Sequence, residues 1–151
     1  MIFLASQSPR RKALLKEAGL AFKVVPSAHE EVIHEDLSPE DNALWNALLK
    51  CSMARVHSSK GVVIAADTLI DFKGRTIIKP KDRTDAVRIL RAFSGRTHTV
   101  ITAVAMKDLA AGRYRTFTVK SRVTFKRLPD RTIFGYLETG EHADKAGAYG
   151  Y

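Results

Sequence analysis

The stretch MIFLASQSPRRKALL, residues 1–15, decides the fold. Its first five residues are apolar and suit a short strand. Ser8-Pro9 is a start signal for a helix, because a serine hydroxyl can accept from free backbone N–H groups and proline suits the first helical position. We therefore predict a strand, a turn and a helix that buries an apolar stripe through Leu14 and ends at Gly19. A strand–turn–helix unit of this kind favours an α/β protein.

Three cations follow this helix start. Arg10, Arg11 and Lys12 occupy the first turn, where the helix dipole is already positive and carboxylates would be expected. Free N–H groups, the dipole and two guanidinium groups can together hold phosphate oxygens, so the arrangement predicts an anion site. The alternative is that Arg10 and Arg11 extend into solvent.

Helix and strand signals continue along the chain without a repeat or a linker. The predicted elements are a strand at 22–26, a helix from Ser38-Pro39 to about Val56, a buried strand at 62–67, a hairpin that turns at Lys73-Gly74, a helix at 84–93, two long strands at 97–106 and 115–127, and a short last helix after Asp130. In the last strand Phe117 and Val119 alternate with polar residues, which predicts one dry and one wet face. We expect one α/β domain over residues 1–151, with a mixed sheet flanked by helices.

The composition is that of a globular protein, with 45% hydrophobic and 27% charged residues in a chain of 151. No apolar run is long enough to cross a bilayer, and the apolar start is too short for the core of a signal peptide. We expect a soluble cytoplasmic protein that does not associate with membranes. Cys51 is the single cysteine, so we expect a buried structural thiol and no intramolecular disulfide.

The net charge of +9, from 25 basic and 16 acidic side chains, favours polyanionic partners. These could be nucleic acid, an anionic membrane or small phosphate-rich molecules, and a merely solvated surface is the simplest alternative. A nucleic-acid-binding module would need aromatic residues interleaved with the basic ones, and the chain lacks an evident stripe of that kind. We therefore expect no specific nucleic-acid partner.

Charged residues gather where predicted strands end, and ligands of open α/β sheets bind beyond the carboxyl ends of strands. The residues concerned are Arg10 and Arg11 after the first strand, Glu30 and Glu31 after the second, Asp67 after the third, and Lys79 after the hairpin. Each has a simpler explanation, since the glutamates could be solvated and Asp67 could cap the next turn. Lys50 shares a narrow helix face with Ala43 and Ala47, where it could also snorkel to solvent.

Carboxylates among cations fit metal-assisted attack of water on a phosphate chain. The carboxylates would hold magnesium or manganese, and the cations would neutralise the developing phosphate charge. The chain has no glycine-rich phosphate loop, zinc cysteine set or nucleophile elbow, so covalent catalysis is disfavoured. His98 and His142 have no acid–base partner at a recognisable spacing, and we interpret both as structural.

Seven segments occur in the order and spacing of one known family: LASQSPRRKALL, Glu30-Glu31, LLKCSMA, AADT, IIKPKD, LRAFSGRTHTVITAVAM and GEHADKAGAYG. The chain thereby resembles the Maf (septum-formation) family of nucleoside triphosphate pyrophosphatases over nearly its whole length. The resemblance implies an α/β fold of the Maf/inosine-triphosphatase-like kind. It also implies cleavage of a nucleoside triphosphate to the monophosphate and pyrophosphate with a divalent metal, magnesium or manganese, and a homodimer is one form that such a chain could take.

By motif position, the resemblance implies that Asp67 accepts the proton and that Glu31 is its acidic companion near the metal. The resemblance also implies that Ser6 and Ser8 line the substrate-binding loop and that Arg11, Lys50 and Lys79 contact phosphates. It implies that Arg10 and Thr68 are specificity positions and that Lys145 lies at the far lip of the cleft.

Within the family, SPRR together with ADT and DKAGAYG resembles the branch that acts on dTTP and UTP. The chain departs from the family in two places. Ala66 stands where glycine is usual, and the family continues AYGIQG into a further strand and helix whereas this chain reads AYGY to Tyr151. If Tyr151 is the end of the complete protein, we expect weak hydrolysis and a weak preference for dTTP and UTP over purine triphosphates, with a catalytically silent Maf-like protein that acts through interactions as the alternative.

Overall fold

A computed structural model describes residues 1–143 and 145–150, so Asp144 of the DKAGAYG motif and the terminal Tyr151 lie outside the described residues. The strands are β1 (Ile2–Leu4), β2 (Phe22–Val24), β3 (Val62–Phe72), β4 (Arg75–Ile77), β5 (Thr97–Asp108) and β6 (Tyr114–Thr124). The helices are α1 (Pro9–Glu17), α2 (Pro39–Ser52), α3 (Arg83–Phe93) and α4 (Asp130–Glu138), and a 3₁₀ turn covers Ala146–Ala148. The predicted α/β class is confirmed.

The strands form one mixed sheet in the order β2-β1-β3-β5-β6, with β4 paired to β3. β1 pairs in parallel with both β2 and β3, and Ile2 lies opposite Phe22 on one side and Val62 on the other. α1 connects β1 to β2, and α2 connects β2 to β3, as parallel pairing requires. β4 returns antiparallel to β3. The predicted mixed sheet is therefore confirmed.

The chain divides into two compact units. The first unit comprises Met1–Asp67 and Thr102–Val119, and the second comprises Thr68–Ile101 and Lys120–Tyr151. β1, β2, α1 and α2 belong to the first unit, and β4, α3 and α4 belong to the second. The expectation of a single domain over residues 1–151 stays a prediction.

In the first unit, α1 begins at Pro9 as predicted, but its start is capped differently. The Ser8 side chain makes no capping hydrogen bond, and the hydroxyl of Ser6 instead accepts from the Ser8 N–H at 3.2 Å. The predicted apolar stripe is wrong, because no residue of α1 is buried and Leu14 is 64% exposed. The strands that α1 connects have three residues each, about 10 Å in length, and offer little apolar surface for a helix to cover.

α2 begins where predicted, with a local capping arrangement. The Ser38 hydroxyl accepts from the Asp41 N–H at 3.1 Å and donates to the Asp41 carboxylate at 2.6 Å. The helix ends at Ser52 rather than near Val56, because the following residues pair with the segment after β2. The local capping signal was thus readable, whereas the end depends on a pairing between distant segments.

β3 is longer than predicted. It continues through Asp67 to Phe72, so the prediction that the strand ends at Asp67 is wrong. Its parallel pairing with β1 nevertheless stops early, with Leu4 opposite Ile64 as the last pair. Asp67 therefore lies beyond the carboxyl end of β1 even though it is inside a strand, and the rule for ligand sites in α/β sheets still selects it.

The second unit contains the predicted hairpin and an apolar core. Lys73 and Gly74 both have positive φ, at 56° and 77°, and the Asp71 carboxylate accepts from the Gly74 N–H at 2.8 Å. The buried core of this unit consists of Ile70, Ala86, Ile89, Leu90, Phe93, Val100, Ile133, Leu137 and Ala148. His98 stacks on Phe93 with ring centroids 4.1 Å apart, which confirms its structural interpretation.

β6 is the edge strand of the sheet, and its predicted dry face is wrong in the first unit. Phe117 and Val119 are both about half exposed there. On the opposite face of the strand, the Thr118 hydroxyl donates to the Glu40 carboxylate at 2.5 Å. Alternation along a strand gives the two faces, but only the neighbouring elements decide which face is covered.

Among residues 1–143 and 145–150, no helix has both the length and the apolar character needed to cross a bilayer. The expected cytoplasmic location and the homodimer stay predictions. Cys51 is buried as predicted, with its thiol 3.7 Å from the Val63 carbonyl, and burial raises the pKa of this thiol to about 11. It is therefore a structural thiol that does not ionise near neutral pH.

Candidate active site

The first unit brings together five of the residues that the sequence singled out. They come from four separate segments, namely Ser6 and Arg11 from the β1–α1 turn and the start of α1, Glu31 from the loop before α2, Lys50 from the last turn of α2, and Asp67 from β3. The parallel β1–β3 pairing brings the first and last of these segments to the same edge of the sheet.

Lys50 is at the centre of this cluster. Its ammonium nitrogen donates to Glu31 Oε1 at 2.6 Å and to Asp67 Oδ1 at 2.7 Å. The side chain of Lys50 is 11% exposed, that of Asp67 is 2% exposed and that of Glu31 is 49% exposed. Lys50 therefore does not snorkel to solvent, and it joins one buried and one accessible carboxylate.

The two carboxylate oxygens of Asp67 differ in their hydrogen bonding. Oδ1 accepts from Lys50, whereas Oδ2 is buried and accepts no hydrogen bond in the part of the chain that the structure describes. Burial raises the pKa of the Asp67 carboxyl above its ordinary value, the positive charge of Lys50 opposes this, and the negative charge of Glu31 adds to it. A buried acceptor with raised basicity is suited to take a proton from a bound water.

Arg11 points toward the carboxylates rather than away from them. Its guanidinium donates to the Ser6 hydroxyl at 3.2 Å, and it lies close enough to Asp67 and Glu31 to feel their charges. Burial lowers the pKa of Arg11, and the two carboxylates oppose that effect, so the guanidinium stays charged. The alternative that this side chain extends into solvent is wrong for Arg11, whereas Arg10 is exposed.

Two buried asparagines on α2 hold the loop that carries Glu31, and the sequence analysis missed both. Residues 28–34 of this loop have no regular secondary structure. Asn46 Nδ2 donates to the Val32 carbonyl at 2.9 Å, and its Oδ1 accepts from the Val32 N–H at 3.1 Å. The same Oδ1 lies 2.8 Å from His29 Nε2. The backbone next to Glu31 is thus bound directly to α2.

Asn42 performs the same task one turn earlier. Its Oδ1 accepts from the His34 N–H at 2.8 Å, and its Nδ2 donates to the carbonyls of His34 and Leu37 at 2.9 and 3.2 Å. The signal that could have found these residues is their spacing, because Asn42, Asn46 and Lys50 recur every four residues and so share one helix face.

The remaining first-unit predictions lie outside the hydrogen-bonded cluster. Ser8 is the residue before α1 and contributes only its backbone N–H to Ser6. Arg10 and Glu30 are exposed. Their predicted contributions to binding therefore stay predictions. The specificity role of Thr68, which follows Asp67 on β3 and belongs to the second unit, also stays a prediction.

Two further predicted cations lie in the second unit. Lys79 follows β4, and Lys145 Nζ lies 3.6 Å from a carboxylate oxygen of Glu141. The Gly147 N–H donates to the Ile78 carbonyl at 3.1 Å, so the segments that carry the two lysines pack together within this unit. The phosphate-binding roles of Lys79 and Lys145 stay predictions.

The donor set of the first unit fits a hard divalent cation. Asp67 and Glu31 supply carboxylate oxygens of the kind that such an ion binds, and both carboxylates are within hydrogen-bond distance of Lys50. Among the described residues there is no group of three or more His, Cys, Asp and Glu side chains placed to hold a metal. Magnesium commonly binds through one or two carboxylates and completes its shell with waters and substrate phosphates, so two carboxylates are sufficient for a substrate-assisted site.

Comparison with known proteins identifies related chains. Residues 1–151 match the family described as Maf-like protein. A protein from Bdellovibrio bacteriovorus named dTTP/UTP pyrophosphatase is 44% identical, and the alignment covers 99% of this chain and 80% of that protein. Proteins of the same name from Bacillus pumilus and Dictyoglomus turgidum are each 42% identical, and each alignment covers 99% of this chain and 78% of the relative.

Proposed function

The chain belongs to the Maf family, and from that premise we propose that it is a pyrophosphatase that hydrolyses dTTP and UTP to the nucleoside monophosphate and pyrophosphate. The names of the relatives support this substrate choice. The observation that carries the proposal is the buried Asp67 carboxylate, which Lys50 bridges to Glu31 with Arg11 beside it.

The reaction needs a water, a base and a stabilised leaving group. The water oxygen forms a bond to phosphorus, the anhydride between the α- and β-phosphates breaks, and pyrophosphate leaves. Asp67 Oδ2 accepts the proton of the attacking water, because it is the carboxylate oxygen that Lys50 does not occupy. Its raised pKa brings the basicity of this group closer to the working pH, which favours proton transfer.

Asp67 and Glu31 are the residues that would hold magnesium or manganese. When bound, the metal supplies charge stabilisation to the phosphate chain and orients the water. The protein contributes a rigid, largely buried carboxylate in Asp67 and an accessible one in Glu31, so that metal and substrate can enter from the Glu31 side.

The cations of the first unit prepare the site for a polyanion. Lys50 and Arg11 offset the charges of Asp67 and Glu31, which would otherwise repel a triphosphate. We assign phosphate contacts to Arg11 and Lys50 together with the loop oxygen of Ser6. Further assignments follow from family position alone, and these are phosphate contacts for Lys79 and Lys145, loop contacts for Ser8, and specificity roles for Arg10 and Thr68.

The test is incubation of the chain with a panel of nucleoside triphosphates and magnesium or manganese, with separate detection of pyrophosphate and orthophosphate. We expect pyrophosphate and monophosphate from dTTP and UTP, and slower reaction with purine triphosphates. Orthophosphate as the first product would contradict the proposal, because it would place cleavage at the terminal anhydride. A chain that releases neither product with any triphosphate would favour the catalytically silent alternative.

A further inference from the structure

We propose that Asn46 is a positioning residue for catalysis, which acts through Glu31 by fixing the backbone of the adjacent Val32. The inference rests on the proposed function only in so far as Glu31 is used for metal or substrate. Nothing in the family motifs quoted above marks Asn46, because the matching segment LLKCSMA begins two residues later.

Asn46 holds Val32 in the way that a neighbouring strand would. One donor and one acceptor of its amide engage the carbonyl and the N–H of the same residue, at 2.9 and 3.1 Å. Such a pair restricts both backbone dihedrals of Val32, and because Glu31 precedes it directly, the direction of the Glu31 side chain is restricted as well.

Glu31 is consequently held at both ends. Its backbone neighbour is bound by Asn46, and its carboxylate is bound by Lys50 at 2.6 Å, one helical turn further along α2. Asn42, one turn earlier, holds His34 and Leu37 and so fixes the far part of the loop. The three α2 side chains thus bind successive parts of one irregular segment, and Asn46 binds the part next to the functional carboxylate.

Because Asn42 and Asn46 are buried, their amide groups need hydrogen-bond partners within the protein. Asn42 and Asn46 are both fully buried, and a buried amide is tolerated only where its polar atoms are paired. The amide atoms of both residues are paired with the loop, and His29 Nε2 adds a contact to Asn46 Oδ1. Replacement of either residue by alanine leaves two or more loop backbone groups without their partner, so the two variants lose comparable structure.

This similarity makes Asn42→Ala a matched control for Asn46→Ala. Both changes remove a buried asparagine from the same helix face, but only the second one releases the residue beside Glu31. We expect Asn46→Ala to lower kcat by about 10- to 100-fold, as loss of a residue that orients a ligand side chain does. KM for dTTP should change little. Asn42→Ala should show a similar fall in Tm with a much smaller loss of kcat, and equal losses of kcat would overturn the proposal.

A double-mutant cycle with Glu31→Gln separates positioning from general loosening. If Asn46 acts through Glu31, Asn46→Ala should have little further effect on the residual turnover of Glu31→Gln. Full additivity of the two changes would contradict the assignment. Should Asn46→Ala fail to fold, Asn46→Asp keeps the shape and the acceptor for the Val32 N–H, and it enters the same cycle.

A readout without catalysis distinguishes failure of this inference from failure of the proposed function. Lys50 is 2.6 Å from Glu31, so release of Glu31 should raise the reactivity of the Lys50 amine toward acetylation, measured by mass spectrometry against the exposed Lys16. We expect a several-fold rise in Asn46→Ala and none in Asn42→Ala. If the chain hydrolyses no triphosphate and Lys50 is still more reactive in Asn46→Ala than in Asn42→Ala, the proposed function is overturned and the role of Asn46 in positioning Glu31 stands. A chain with normal turnover of dTTP but equal acetylation of Lys50 in the two variants would support the proposed function and overturn the positioning role of Asn46.

Discussion

The two units differ in the polar side chains that their interiors contain. The first unit buries Asn42, Asn46, Lys50 and Asp67 beside apolar residues such as Leu4 and Val63, whereas the second buries an aromatic and aliphatic cluster around Phe93 in which His98 is the buried polar residue. Removing charges from water is costly, and a buried ion pair recovers that cost only in part. The buried polar and charged side chains of the first unit therefore add less to the free energy of unfolding than apolar side chains would. The buried cluster of the second unit is mostly apolar and adds to it.

The interior of the second unit gains stability from packed aromatic rings. The Phe93 ring is stacked on His98 at 4.1 Å and lies at 5.2 Å from Phe72 and 5.9 Å from Phe125 in edge-on geometry. Such ring pairs contribute about 0.5–1.5 kcal/mol each beyond the apolar area that they bury. The contrast predicts that substitutions in the first unit chiefly change activity, and that those in the second chiefly change stability.

The largest expected effect comes from Asp67→Asn in the first unit. The amide cannot accept the proton, so turnover of dTTP should fall by about 10³-fold. Because the pKa of Asp67 is raised in the fold, ionisation of this carboxyl costs more free energy in the folded chain than in the unfolded one, and the variant should keep or slightly increase its free energy of unfolding at neutral pH. Pyrophosphate release and thermal unfolding measure the two quantities.

Asp71→Asn is the matched control, because Asp71 lies on the same strand and its acceptor role toward Gly74 is one that an amide oxygen can retain. We expect its turnover to be that of the unmodified chain. If Asp67→Asn were to retain near-normal turnover, Asp67 would not be the base.

Next in size is the effect of Gly147→Ala in the second unit. Gly147 has φ of 71°, and an added Cβ would lie 2.3 Å from Ile70 Cδ1 and 3.0 Å from Phe93 Cε2. We expect a loss of about 3 kcal/mol in unfolding free energy, from the left-handed backbone together with overpacking. Gly140→Ala has nearly the same φ of 72° but meets nothing within 4 Å, so it should lose about 1 kcal/mol. Equal losses in urea unfolding would show that packing at Gly147 is unimportant.

A smaller effect should follow from the titration of His98. Burial lowers the pKa of His98 below its ordinary value of 6.5, so below that pH the unfolded chain binds a proton more readily than the folded one. The unfolding free energy should therefore decline as the pH falls from 7 toward 5. In His98→Gln this part of the pH dependence should disappear. An unchanged slope between the two chains would assign it to other groups.

Removal of metal should abolish the activity of the first unit without changing its stability. Lys50 and Arg11 offset the charges of the two carboxylates, so the site does not need a metal ion to be stable. With EDTA we expect pyrophosphate release to cease and Tm to stay the same. A marked fall in Tm would mean that the metal is structural.

The smallest expected effect is binding to nucleic acid. β6 exposes Tyr114 and Phe117 beside Arg113 and Arg115, an interleaving that the sequence analysis overlooked. Counterion release alone should give dissociation constants of about 10⁻⁴–10⁻⁶ M at physiological salt, with a steep loss as salt rises. Fluorescence anisotropy with labelled single-stranded DNA tests this, and tight sequence-selective binding would revive the nucleic-acid alternative.

Features fixed by local chemistry were predictable from the sequence. The start of α2 at Ser38-Pro39 and the hairpin turn at Lys73-Gly74 follow from capping and from positive φ, and both are confirmed. The position of Asp67 beyond the end of β1 was also predictable in kind, although the strand around it is longer than its apolar run suggested. These signals act over a few residues and need no knowledge of the rest of the chain.

Features that depend on distant segments were not predictable. Leu14 and Phe117 have the spacing of buried residues but are exposed, because burial is decided by whatever packs on an element. The cluster of Lys50 with Glu31 and Asp67 required the pairing of distant segments to be known. Asn46 was missed because asparagine within a helix is usually assigned to solvent, and its partner is a backbone group that the sequence does not display.

The hold of α2 on the loop before it has an evolutionary consequence. Asn42 and Asn46 bind this segment mainly through backbone N–H and C=O groups of Val32, His34 and Leu37, which every residue except proline possesses in full. The attachment of the loop to α2 therefore places little constraint on its side chains, apart from Glu31 and His29, whose Nε2 contacts Asn46. The loop can accumulate substitutions, and so sample new contacts with a ligand, while the carboxylate it presents stays in the same place.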